Sequence, residues 1–193
     1  MAQDTCAVTH VMVDLETLGT KPGCSIASIG AVIFDPASGS IGKTFFSRIS
    51  LQSCDEAGLK MDAKTVYWWM QQSEEARRNT FLGQRVTLNN AIHSFSGWWF
   101  ENNLGVGTRM WAHGATFDPG ILEAAYAAIG KPIPWEFWMS RDTRTIFDLA
   151  GIDLSDFRGM SAAHSALDDA ETQALAVIAS YAKLGIRGGA NVE

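Results

Sequence analysis

The sequence predicts an α/β layered domain: a mixed sheet of three antiparallel strands followed by parallel ones, with helices on both faces. Two features of the pattern lead there. Three β-branched, apolar runs come first, separated only by short Gly-, Pro- and Ser-containing turns, and the rest of the chain then alternates helical and extended periodicity. At 193 residues, 47% hydrophobic and 19% charged, the chain fills one core and is short for two. A single domain over 1–193 is expected, with its core over 8–184 and a flexible tail over 185–193.

The first three strands are read at Val8 to Val13, Ile26 to Asp35 and Lys43 to Ile49, a meander turned at Lys21-Pro22-Gly23 and Pro36-Ala37-Ser38-Gly39. Asp62 then caps a helix over Ala63 to Gln72. Thr87 caps a second over Leu88 to Asn102, with Asn103 and Gly105 as stops. Arg109 to His113 reads as a short strand. A helix follows over Asp118 to Ile129, with Pro119 in its first turn and Gly130 just past its end. After the Pro132-Ile133-Pro134 break come a last strand at Trp138 to Arg141 and a helix over Thr143 to Ala150. A long helix over His164 to Leu184 is closed by Gly185.

Composition narrows the function classes. Cys6, Cys24 and Cys54 are odd in number and show no Cys-x-x-Cys spacing, which speaks against a disulfide framework and a structural zinc site and fits a cytoplasmic setting. The N-terminus lacks the basic and apolar signature of a signal peptide, and no apolar run has bilayer-spanning length, so no membrane partner is expected. The 21 acidic against 15 basic residues give a net charge of −6, unsuited to broad nonspecific wrapping of duplex nucleic acid. An acidic balance is compatible with a nucleic-acid end if clustered carboxylates hold divalent cations that reverse the local field.

Asp14 and Glu16 lie two residues apart at the end of the first strand, so both carboxylates point to one face, and Gly19 follows closely. Paired carboxylates of this kind make a hard oxygen site suited to Mg²⁺ or Mn²⁺. An isolated Asp-x-Glu more often just ends a strand at solvent, so distant partners decide. One is Asp118, in His113-Gly-Ala-Thr-Phe117-Asp118, where a strand leads into a helix; alone it reads as a charge on a helix N-terminus. The other is His164-Ser-Ala-Leu-Asp168-Asp169. Five residues of regular helix turn about 140°, so His164 and Asp169 converge only if His164 sits on the loop entering the helix. Ser165 with Asp168 also reads as a capping-box variant.

Together these residues resemble the DEDDh exonucleases of the ribonuclease H-like superfamily. Asp14-Leu-Glu16-Thr17 fits the first motif, His113-Gly-Ala-Thr-Phe117-Asp118 the second, and His164 with Asp169 the third; the resemblance spans roughly residues 8 to 184. Asp14 to Gly23, Thr65 to Ser73 and Arg141-Asp-Thr-Arg-Thr look like phage and prophage exonucleases of the exodeoxyribonuclease VIII-like, ribonuclease T-related type. The main departure is Gly114, where many relatives carry Asn; it bears on a supporting hydrogen bond, not on the catalytic set.

The resemblance implies a 3′-to-5′ exonuclease acting on single-stranded DNA ends or overhangs and releasing nucleoside 5′-monophosphates. It implies two Mg²⁺ or Mn²⁺ ions bridged by Asp14, one site completed by Glu16 and Asp169 and the other served by Asp118. His164 would be the general base, a role suited to a side chain whose class titrates near neutral pH. Thr17 and Leu18 would contact the terminal sugar and wedge the last base, Phe117 would stack on a base or pack in the core, and Trp69 would stand at the substrate rim. Trimming of RNA 3′ overhangs is the alternative within the class, and a non-catalytic nucleic-acid-binding module is the alternative outside it. A homodimer joined through the tryptophan-rich helices is expected.

Overall fold

A computed structural model describes residues 9–157 and 164–186. Val8, Cys6 and the tail from Arg187 lie outside the described residues. The meander forms β1 (His10–Thr17), β2 (Ile26–Asp35) and β3 (Ser40–Arg48), with β1 and β3 each antiparallel to β2. Two short strands, β4 (Arg109–Ala112) and β5 (Ser140–Asp142), extend the other edge parallel to β1, giving the order β3-β2-β1-β4-β5. This is the mixed sheet expected. β1 continues through Asp14 and Glu16 to Thr17, so the two acids lie inside the strand, not at its end.

Helices α1 (Leu51–Glu56), α2 (Ala63–Gln71), α3 (Glu74–Phe81) and α4 (Leu88–Glu101) precede β4. α5 (Asp118–Ala128) joins β4 to β5, α6 (Thr143–Ala150) follows β5, and α7 (Ala166–Leu184) closes the fold. The expected caps are made. Asp62 accepts from the Lys64 amide and Thr87 from the Asn90 amide, each satisfying a donor that a helix start leaves open. Three readings shift. The last strand starts at Ser140 because Phe137–Met139 coils into a 3₁₀ turn; α1 and α3 are additional; and α7 begins at Ala166, leaving His164 on the entering loop.

The alternation of β1 sorts its side chains. Val11, Val13 and Leu15 join Ile29, Ala31, Phe95, Trp99 and Ile121 in the larger core, which α1, α4 and α5 help to build. Met12 points the other way, to Val32, Trp111, Ala170 and Val177 beneath α6 and α7. Asp14 and Glu16 share the Met12 face by the two-residue period. They therefore meet α7.

Gly30 makes that meeting close. It pairs with Asp14 across β1 and β2, and a Cβ built there would lie 2.2 Å from the carbonyl carbon and oxygen of Ala166 and 2.4 Å from the Leu167 nitrogen. Only a residue without a side chain lets the first turn of α7 lie against the sheet at this level.

Candidate active site

The carboxyl ends of the parallel strands β1, β4 and β5 open into a cleft of about 820 Å³. Crevices at this edge of α/β sheets are where ligands collect, because loops diverge there and helix starts point inward. Asp14, Glu16, Asp118, His164 and Asp169, up to 155 residues apart in sequence, all line it.

Each acid has a different support. Asp14 Oδ1 accepts a 2.8 Å hydrogen bond from Gln173 Nε2, four residues beyond Asp169 on the same face of α7. Asp118, 2% exposed in the first turn of α5, accepts from the Leu15 amide at 3.1 Å and so ties α5 to the strand between the two β1 acids. Glu16, His164 and Asp169 present ligand atoms within 4.8 Å of one another. Ser165 is the N-cap of α7 but makes no side-chain cap bond, so the capping-box reading of Ser165 and Asp168 is not realised.

His164 has φ of 63°, a left-handed conformation that costs an L-residue roughly 1–2 kcal/mol. Its surroundings hold it there. Its carbonyl accepts from Thr80 Oγ1 of α3 at 3.0 Å, and its ring meets Trp68 and Trp69 edge-on at centroid distances of 5.2 and 5.6 Å.

Burial and like charge act together on the acids. Asp14 is held well above the usual carboxylate range, first by desolvation and then by Asp118, Glu16 and Asp169, with Gln173 opposing. Glu16 is pushed up to about 8 by burial, then Asp169 and Asp118. Burial raises Asp118 to about 7 against the pull of the Leu15 amide and Arg144. Four clustered carboxylates, Asp169 being the fourth, with one imidazole gain most from a small, hard divalent cation, which replaces mutual repulsion with coordination. The donor set fits Mg²⁺ or Mn²⁺.

The substrate-contact expectations fare unequally. Thr17 reaches the cleft wall, but its hydroxyl donates to the Gly19 carbonyl at 2.7 Å. Leu18 does not reach the cleft: the pairing shifts between Glu16 and Thr17, and Leu18 turns into a small core with Ala27 and Trp69, 4% exposed. Phe117 packs on the larger core while also lining the cleft. Trp69 lines the cleft from within that small core, its indole N–H donating to the Thr17 carbonyl at 2.9 Å. The exposed ring at the rim is its neighbour Trp68, since adjacent helical residues point about 100° apart. Asp142 caps α6 by accepting from the Arg144 amide and also accepts from the Ala115 amide. Sequence reading missed Gln173 and Thr80; only the four-residue step from Asp169 hinted at the first.

A family model described as the 3′-5′ exoribonuclease Rv2179c-like domain matches residues 9–181. The chain belongs to this family. It is a 3′-5′ exonuclease. The exodeoxyribonuclease of Enterobacteria phage T4 is similar, 26% identical over 156 residues that cover 69% of this chain and 68% of the relative. Among solved structures, the nuclease domain of 3′hExo, a DEDDh family member bound to rAMP, aligns with a TM-score of 0.60 at 14% identity, covering 98% of this chain and 99% of that one. E. coli exonuclease I in complex with a dA16 oligonucleotide aligns at 0.62 and 14% identity; the match covers 92% of this exonuclease but 41% of that longer chain. The cell-death related nuclease CRN-4 aligns at 0.66 and 14% identity, over 94% and 66% of the two chains. These likenesses give the fold of the family.

Proposed function

We propose that this exonuclease removes nucleotides from single-stranded 3′ ends, of DNA in the first place, releasing nucleoside 5′-monophosphates. The observation that carries the reading is the convergence of Asp14, Glu16, Asp118, His164 and Asp169 on one cleft from three separate stretches of chain. Asp14, Glu16, Asp118 and Asp169 would hold two divalent cations, Mg²⁺ or Mn²⁺. When bound, these would polarise the scissile phosphodiester and offset charge on the departing 3′ oxygen. His164 accepts the proton of the attacking water, its ring kept near Glu16 and Asp169 by the two tryptophans. Asp118, tied to the Leu15 amide, fixes the distance between the α5 and β1 sides of the site. Phe117 and Trp68 offer ring faces for unpaired bases.

DNA is supported by the phage T4 relative and by the exodeoxyribonuclease VIII-like look of Asp14 to Gly23. RNA is the second reading, favoured by the exoribonuclease description of the family. We keep the homodimer and the cytoplasm as proposals. Tyr67 and Met70 of α2 are exposed apolar side chains that a dimer would cover, and the buried Cys24 and Cys54 are unpaired.

The test is a time course on 5′-labelled single-stranded DNA and RNA of one sequence, with Mg²⁺ or Mn²⁺, beside Asp14→Asn. A ladder shortening from the 3′ end, absent from the variant and from chelated enzyme, is expected, with DNA the faster strand. Cleavage that persists after chelation or in Asp14→Asn would overturn the mechanism, and faster RNA cleavage would reverse the substrate order.

A further inference from the structure

Gly114, the departure from the resembled motif noted above, stands at φ of 115°, and a Cβ built there would lie 2.7 Å from Nη1 and 3.5 Å from Cζ of Arg144. The guanidinium therefore occupies the space a side chain at 114 would need. Arg144 is in the first turn of α6 and lines the same cleft as the acids, where its charge acts on Asp118. Among the described residues no carboxylate forms an ion pair with it; the ion pairs there join Lys60 to Asp55 and Arg78 to Glu74. An arginine at the mouth of an acidic cleft, with its five donors unclaimed by a carboxylate, is matched to a phosphodiester.

We propose that Arg144, seated over Gly114, grips a non-scissile phosphate of the bound strand and that glycine at 114 makes room for it. This rests on the exonuclease reading of the cleft. The four acids prepare the site for cations, yet the strand behind the scissile bond still brings one negative charge per nucleotide toward those carboxylates. Arg144 supplies the opposite sign where the acids end. Its part is holding the strand, so its loss acts on substrate affinity more than on turnover.

Arg144→Gln tests this in the full-length enzyme. A charge-assisted hydrogen bond is worth about 1.5–3 kcal/mol, and the lower end, for an exposed group, corresponds to about a tenfold rise in KM with kcat little changed. Anisotropy binding of a labelled single-stranded oligonucleotide in EDTA should weaken by a similar factor. The slope of log K against log salt should flatten by about 0.7, the value for one lost phosphate contact on single strands. Arg144→Lys should keep the salt slope and recover part of the KM, because it retains charge without the fork. Gly114→Ala should displace the guanidinium and raise KM without adding to Arg144→Gln; if it does not fold, Arg144→Gln stands alone. Oligonucleotides carrying one neutral methylphosphonate linkage locate the contact: one position should weaken wild-type binding and have little effect on Arg144→Gln. Arg78→Gln, an ion-paired surface arginine, is the control. An active wild type whose Arg144→Gln variant keeps its KM, salt slope and methylphosphonate profile overturns this inference, whereas a wild type that neither cleaves nor binds single strands overturns the exonuclease reading beneath it.

Discussion

Gly30→Ala should separate activity from stability more sharply than any change to the acids. The added Cβ would stand 2.2 Å from the Ala166 carbonyl carbon and oxygen, where ordinary contact begins near 3.4 Å, so the first turn of α7 must retreat by more than 1 Å. That turn carries Asp169, and Gln173 one turn on holds Asp14. Overpacking of this kind costs about 1–3 kcal/mol, or about 3–10 °C in Tm for a chain of this length. The chemical cost is larger, because a displacement of about 1 Å in a catalytic group can lower a rate about 100-fold. The assay pairs a melting curve with single-turnover cleavage of a labelled single-stranded oligonucleotide at saturating Mg²⁺. Gly97→Ala in α4 is the matched control: nothing lies within 4 Å of its Cβ position, so it should gain about 0.5–1 kcal/mol and leave cleavage unchanged. A Gly30→Ala enzyme that melts and cleaves like the wild type would refute the claim that this close approach positions α7.

Gln173→Leu should weaken Mn²⁺ binding, read by electron paramagnetic resonance, about 10- to 100-fold, as loss of a group that orients a ligand does. Its Tm should hardly fall, because the Gln173 Oε1 that has no partner among the described residues leaves with the amide; unchanged Mn²⁺ affinity would remove Gln173 from the positioning role. Without metal, Glu16 near 8 and Asp118 near 7 hold protons that the unfolded chain releases at ordinary carboxylate pKa, so stability should fall as pH rises toward 8. Saturating Mg²⁺ should abolish that fall, and a flat melting temperature from pH 6.5 to 8 in EDTA would contradict it. His10 acts in the other direction. Burial and Arg109 lower it from 6.5 to about 4, and its Nδ1 accepts from the Trp111 indole at 2.9 Å. Because the unfolded chain takes this proton first, stability should drop below pH 6.5, by on the order of 3 kcal/mol at pH 4. His10→Phe should lose that acid slope even if it is less stable throughout; an unaltered slope would assign it to other groups.

The sheet was legible where one residue type decides one local event. β-branched runs between Gly and Pro turns marked β1 to β3, and Asp62 and Thr87 marked helix starts because their side chains satisfy amides two or three residues on. α1 and α3 were not legible. Leu51–Glu56 is too short to display a period, and in Glu74–Phe81 the residues buried are Ala76 and Thr80, a weak apolar signal. The end of β1 was misjudged for a related reason: Asp14 and Glu16 look like a strand's polar end, whereas the fold keeps them paired opposite Gly30 and Ser28.

The five site residues were readable as motifs, but what holds them was not, and the difference is physical. A motif records residues that touch the same ligand, which fixes their chemistry and spacing together. A support needs only to reach a backbone atom or fill a space, as Thr80 does for the His164 carbonyl and Gly30 does for Ala166, and many sequences could supply either. His164 makes the case from both sides. Helix geometry alone required it to leave the α7 spiral to meet Asp169, and the structure puts it at φ of 63° just before that helix. What stabilises so unfavourable a backbone comes from α2 and α3, through two tryptophan edges and one hydroxyl more than 80 residues away. The strain is local and legible, while its compensation is tertiary and becomes visible only once the chain is folded.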